Sequence, residues 1–301
     1  VTSRLEGYHH GDLADFAEAE LSALRIPDEV QAFLLRWFTA YIHESDPELS
    51  VEAAEEQARR INVNRLMESI NQSDSVKLLA TNPLLLTILA IIHQTMNTPL
   101  PTRRVELYKV VADTLIRNWR RSQTDHDNRI LEMNISSTDI FQMMSHLAFW
   151  LHENEDRQGG TMPLEDWRRE ITFLLKDYGE SDAVKELVDE FLHHASQEVG
   201  LLTERSPGQI GFFHLTLQEY LAAVEMARQD TDFRLQKIEK YWANPRWQEV
   251  LLLTAGEIKE KYTPAVLDAY LHAILDKEYS DPTQTGRSTF IAGRALADLG
   301  K

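Results

Sequence analysis

Between residues 200 and 228 the hydrophobic period of this chain changes twice, and no other feature constrains its fold as much. Gly200-Leu201-Leu202-Thr203 and Ile210-Gly211-Phe212-Phe213 flank Arg205-Ser206-Pro207-Gly208. Two short apolar runs around a Pro-Gly turn read as a β-hairpin. The period then becomes helical. Thr216 and Glu219 have the spacing of a capping box, and Leu215 and Tyr220 stand at the two positions of a hydrophobic staple. This pattern predicts a helix opening at Thr216, with His214 at a strand-to-helix junction. The N–H groups and dipole of a helix N-terminus favour an anion. His214 is thus either a packed structural residue or a phosphate contact.

Helical periodicity fills the rest of the chain. Ile26-Pro27-Asp28-Glu29 opens a helix whose apolar stripe is Val30, Phe33, Leu34, Trp37 and Tyr41. A charged helix over 51–61 follows, then a short one over 75–79. Pro83 restarts a helix over 84–94 that is apolar nearly all round, as buried helices are. Pro99 to Thr102 breaks the chain before a helix over 103–121, and 124–134 reads as a loop. Ser136-Ser137 caps a helix over 138–152, Pro163 starts another, and 182–196 is a further one. Several helices, a hairpin and another helix are the sequence appearance of a winged helix. Helices over 233–242, 245–261, 264–278 and 288–299 complete the chain. They read as a stack of paired, HEAT-like helices without a fixed-period repeat. The fold class is mainly α.

Composition excludes several functions. The chain has 301 residues and no cysteine, so it has no thiol nucleophile and no Cys-based zinc site. Absence of cysteine fits a reducing, cytoplasmic setting. The net charge of −17 opposes general nucleic-acid binding, which rests on cations that neutralise phosphates. Basic residues cluster only locally, at Arg103-Arg104 and over 117–121. The longest apolar run, 84–92, is too short to span a bilayer. The chain carries no G-x-x-x-x-G-K-[ST], no H-E-x-x-H and no G-x-S-x-G. His9-His10 beside Asp12 are the residue types of a metal site but read as solvated surface. His193 and His194 diverge on a helix and cannot share a metal. No catalytic constellation and no metal site is expected.

Three ordered segments carry a resemblance: Thr81-Asn82-Pro83-Leu84-Leu85-Leu86-Thr87, Leu100-Pro101-Thr102-Arg103-Arg104-Val105-Glu106-Leu107-Tyr108, and Phe213 to Ala223. Together with Val1-Thr2-Ser3-Arg4 and Gly7-Tyr8, they resemble the regions after the nucleotide-binding core of NACHT NTPases. That family belongs to the signal-transducing STAND class of NOD-like receptors and bacterial defence proteins, and this pattern looks more like the prokaryotic members. The resemblance covers about residues 1–228; 229–301 are compatible with it. It implies four parts: the end of an NTPase core with its sensor strand (1–25), a helical domain (26–100), a winged-helix domain (101–228) and a C-terminal helical domain (229–301). A remnant strand over 19–24 is expected.

The resemblance also implies roles. Arg4 would be the sensor arginine facing the terminal phosphate, a task that suits the planar fork of a guanidinium. Pro83 would pack on the adenine ring, besides starting its helix. His214 would contact the β-phosphate of ADP and lock the closed state. ADP or ATP with Mg would be the cofactor of the full-length protein, and the upstream P-loop core its partner within the same chain. Homo-oligomerisation on activation and a ligand of unknown identity are also implied; a membrane is not. Without the P-loop, the segment by itself is expected to be inactive. The rival readings are a winged-helix nucleic-acid-binding regulator and a helical adaptor that never meets nucleotide.

Overall fold

The computed structural model describes residues 22–96, 100–101, 103–122, 135–154, 160–178, 181–198, 201–277 and 286–299. These fall into two compact units whose boundary lies between residues 114 and 115.

The first unit is helical. Helix α1 (Asp28–Ser45) buries Val30, Leu34, Phe38 and Ile42. The buried line is thus a strict i, i+4 series, rotated from the expected stripe. Phe33 is only half-buried, and Tyr41 is exposed and stacks on Trp37 with ring centroids 5.5 Å apart. The π-stack lets two large aromatics lie on the helix flank without a core site. The charged segment over 51–61 forms α2 (Val51–Gln57) and most of a π-helical turn (Ala58–Val63), and a further helix not expected from the sequence, α3 (Asn64–Gln72), follows. Ser50 caps α2 by accepting from the Ala53 N–H at 3.3 Å. Helix α4 (Asp74–Ala80) is followed by α5 (Pro83–Met96), which buries Leu85, Leu86, Ile88, Leu89 and Ala90, as its all-round apolarity predicts. Helix α6 (Arg104–Ser122) buries Leu107, Tyr108, Val111 and Ala112 before the unit boundary.

The second unit opens with α7 (Ser137–Asn154). Its start is a reciprocal capping box: Ser136 Oγ accepts from the Asp139 N–H at 3.1 Å, and the Asp139 carboxylate accepts from the Ser136 N–H at 2.7 Å. Strand β1 (Met162–Pro163) leads into α8 (Leu164–Leu175) and α9 (Ser181–His193). The hairpin is β2 (Leu202–Ser206) and β3 (Gln209–Phe212), in register Leu202 opposite Phe212, with an irregularity between Glu204 and Ser206. Gly208 takes the left-handed conformation (φ +72°) that its turn requires. Strand β1 pairs antiparallel with β3, giving the order β1-β3-β2. Gly211 permits that pairing, because a Cβ there would fall on the Gly160 carbonyl oxygen. The two-residue β1 is too short to show a period in sequence.

Trp167, fully buried on α8, donates its indole N–H to the Ile210 carbonyl at 2.9 Å. One side chain thereby fixes the hairpin to the helices. Helix α10 (Leu215–Arg228) lies at the centre of the unit, packed most extensively on α7 and α12 (Gln248–Lys261). It buries every residue from Tyr220 to Ala227. Helices α11 (Thr231–Tyr241), α13 (Pro264–Leu275) and α14 (Arg287–Leu299) pack around α12 and α10. The expected loop over 124–134 and residues 19–21 of the expected remnant strand lie outside the described residues. Residues 22–24 form no strand; the Leu24 N–H instead donates to the Thr81 carbonyl at 2.8 Å.

Candidate functional site: the entry to the central helix

The hairpin delivers the chain to α10 through Phe213 and His214, and the helix begins earlier than the capping-box pattern predicts. Helix α10 opens at Leu215, and His214 itself is the N-cap, with extended backbone (φ −138°, ψ 130°). Its carbonyl accepts from the Leu217 and Gln218 N–H groups, both at 3.2 Å. Its ring replaces the hydroxyl that usually caps a helix: Nδ1 accepts from the Thr216 N–H at 3.2 Å. The Thr216–Glu219 box is thus displaced by a histidine two residues upstream. The staple is not made either. Leu215 is 51% exposed while Tyr220 is fully buried. The Tyr220 hydroxyl donates to Glu257 on α12 at 3.0 Å, a contact whose partner is 37 residues away and invisible to local pattern.

Capping dictates the tautomer of His214. A ring nitrogen that accepts carries no proton, so the neutral imidazole keeps its hydrogen on Nε2. The ring is held neutral because burial, and then the nearby Arg205 cation, lower its pKa below the ordinary imidazole value. Arg205 is fixed across the hairpin by donating to the Phe212 carbonyl at 2.7 Å. His214 is therefore a pre-oriented neutral donor at a helix N-terminus, with an exposed leucine beside it. Such a group suits an anionic oxygen and is a poor base, since its second nitrogen is occupied.

Pro83 is the first residue of α5, exposed, and belongs to the first unit. Its predecessor Asn82 helps to start that helix, its Oδ1 accepting from the Leu85 N–H at 3.2 Å. Arg4, Gly7-Tyr8 and the His9-His10 pair lie outside the described residues. His214 belongs to the second unit, so Pro83 and His214 are each described within their own unit. No group of three or more His, Cys, Asp or Glu able to hold a metal occurs among the described residues.

Two polar clusters escaped sequence reasoning, and both involve α7. His146 Nε2 lies 2.7 Å from Glu170 Oε1 on α8, and its Nδ1 lies 3.7 Å from Glu225 Oε1 on α10. Glu225 is 2% exposed and also accepts from Arg228 and Gln229. A carboxylate inside the apolar run Tyr220 to Ala227 was the available signal, because a buried charge demands partners. Six residues on, His152 Nε2 lies 3.2 Å from the Arg246 carbonyl, and its ring meets Trp247 edge-on at 4.7 Å. Beside it, Glu153 accepts from the Tyr241 hydroxyl at 2.9 Å and pairs with Lys237. These contacts tie α7 to α11 and to the residues that lead into α12.

Helices α7, α8 and α9 with β1 and the β2–β3 hairpin define a winged helix-turn-helix domain. Residues 104–226 match the family described as the winged helix-turn-helix domain C-terminal to NACHT. The match supports a C-terminal part of a NACHT-family protein, as the ordered motifs imply. No curated protein and no solved structure matches it. Among the described residues, no helix is long and apolar enough to cross a membrane. The helix that enters DNA grooves in other winged-helix proteins corresponds to α9, whose exposed residues include Asp182, Glu186 and Asp189. Its Lys185 pairs with Asp182 at 3.2 Å, and Arg168 of α8 pairs with Asp189. This face offers phosphates little net positive charge.

Proposed function

We propose that this chain is the nucleotide-reading regulatory segment of a NACHT-type STAND NTPase that acts as a signalling and defence switch. The observation that carries the reading is His214, a neutral Nε2–H donor fixed by its own helix cap. The NACHT-associated winged helix supports it. The residues fit a nucleotide diphosphate: a donor for phosphate oxygen at a helix N-terminus, and an exposed proline at a helix start for an adenine face. Bound ADP supplies the negative charge and the flat base that such groups recognise.

In this proposal His214 donates to the β-phosphate, Pro83 covers the adenine ring, and Arg4 faces the terminal phosphate. The P-loop lysine and the Mg ligands come from an upstream core. The segment holds the closed state while ADP is bound. A ligand of unknown identity shifts the population toward an open state that takes ATP and oligomerises.

The test uses the full-length protein with His214→Ala and His214→Asn. Asparagine also caps a helix, so it retains the fold contribution, while its shorter amide places no donor where the Nε2–H stands. Both variants should release ADP about 10- to 100-fold faster, as expected for loss of a hydrogen bond to a charged group. Both should also signal without ligand. Wild-type ADP retention and silence in His214→Asn would overturn the proposal.

A further inference from the structure

Both ring nitrogens of His146 face carboxylates, from two different helices. Nε2 lies 2.7 Å from Glu170 of α8, and Nδ1 lies 3.7 Å from Glu225 of α10. A carboxylate only accepts, and a neutral imidazole has one N–H. Only the imidazolium can serve both neighbours. Glu225 does not depend on His146 for satisfaction, because Arg228 and Gln229 donate to the same carboxylate at 2.6–3.0 Å. Arg228 is the one cation facing the ring from α10 among the described residues, and it is already bound to Glu225. Asp139, on His146's own helix, lines the open groove beside the ring together with Gln142, Met143, Leu174 and Arg228. The surroundings of His146 are therefore net acidic and reached by water.

We propose that His146 is a proton-dependent staple that joins three helices of the winged-helix region, α7, α8 and α10. In the charged form it donates from Nε2 to Glu170 and pairs through Nδ1–H with Glu225. When the pH rises, the Nδ1 proton leaves to solvent through the groove. Nε2–H stays on Glu170, the closer acceptor. The bare Nδ1 lone pair then faces the Glu225 carboxylate, and attraction between α7 and α10 becomes repulsion. The C-terminal end of α10 loosens from α7 and the groove widens. Helix α10 is the one whose other end is capped by His214, so the staple grips the far end of the candidate site's own helix.

The direction of the pH effect follows from the neighbours. Glu225 above all, and Glu170 with it, raise the imidazole pKa against the opposing effect of burial. A group whose pKa is higher folded than unfolded stabilises the fold fully below the unfolded value, near 6.5 for histidine. That stability is lost as the pH climbs through the folded value.

The experiment measures thermal unfolding of the full chain between about pH 6 and about pH 9, with the histidine ring protons followed by NMR over the same range. The His146 ring should titrate above the ordinary histidine value. The unfolding midpoint of the wild type should fall by roughly 2–4 °C over that range, the shift that about 1 kcal/mol produces in a unit of this size. His146→Gln, which keeps one donor and cannot titrate, should be flat over the part of the range where the wild type falls. Titration of His146 at or below the ordinary value, or an unchanged midpoint loss in His146→Gln, would overturn the proposal. Should His146→Gln not fold, the wild-type ring titration decides alone.

Discussion

Helix α7 carries two histidines six residues apart whose surroundings have opposite chemistry. At His146 the neighbours are two carboxylates on α8 and α10, which shift the ring toward its charged form. At His152 the neighbours are a backbone carbonyl, the amide of Gln218 and the face of Trp247, and the ring is held neutral, its pKa pushed down to about 4. Burial dominates there, and the Arg246 cation adds to it. One helix therefore meets α8 and α10 through an ion pair and the C-terminal helices through an aromatic seat. The first contact weakens as pH rises. The second weakens as pH falls, because protonation would strand a charge 2% exposed to solvent. Stability of the second unit is bounded on both sides by residues of a single helix.

The largest perturbation should come from the aromatic seat. Trp247 is 2% exposed, stacks on Tyr241 with centroids 3.9 Å apart, and meets both Phe149 and His152 edge-on. Trp247→Ala should cost about 3–5 kcal/mol of unfolding free energy in a denaturant titration. A loss under 1 kcal/mol would show that the C-terminal helices do not lean on α7. Next in size is the acid limb. His152 stays neutral when folded and charges near pH 6.5 when unfolded. Its contribution is therefore intact above that pH and is lost progressively below it, by on the order of 3 kcal/mol at pH 4. His152→Gln should remove most of that acid sensitivity, measured as the slope of stability against pH. The smallest effect belongs to the ion-pair end. Glu170→Gln removes the closer of the two carboxylates paired with His146 and should cost about 1 kcal/mol. An effect as large as that of Trp247→Ala would reverse the ranking of the two ends.

Much of the fold was legible because it is written in local periods. The all-round apolar helix after Pro83, the cap at Ser136 and the hairpin around Pro207-Gly208 each follow from residues within one turn of one another. The failures share a different cause. At α1 the stripe was assigned by counting apolar residues, whereas burial selected Phe38 and Ile42 and left Tyr41 to stack outside. At α10 a capping box is legible, but a histidine cap two residues upstream takes its place. Nothing in local pattern marks a histidine as a cap, because its side chain is not among the usual caps. The His146 and His152 clusters join residues 24 to 94 positions apart. Such partners are set by packing, and the sequence held only a hint of them, a glutamate inside an apolar helix.

The double use of the His214 ring limits which changes the position tolerates. One nitrogen sustains the start of the central helix, and the other carries the hydrogen that the proposed phosphate contact uses. Leucine or alanine would remove both features together, so a loss of function would be confounded with a frayed helix. Serine, asparagine or aspartate would keep the cap and lose the donor at the Nε2 position. Inheritance can therefore delete the proposed phosphate contact in one step without dismantling the architecture that presents it. A switch of the proposed kind would then be unlocked while remaining fully folded.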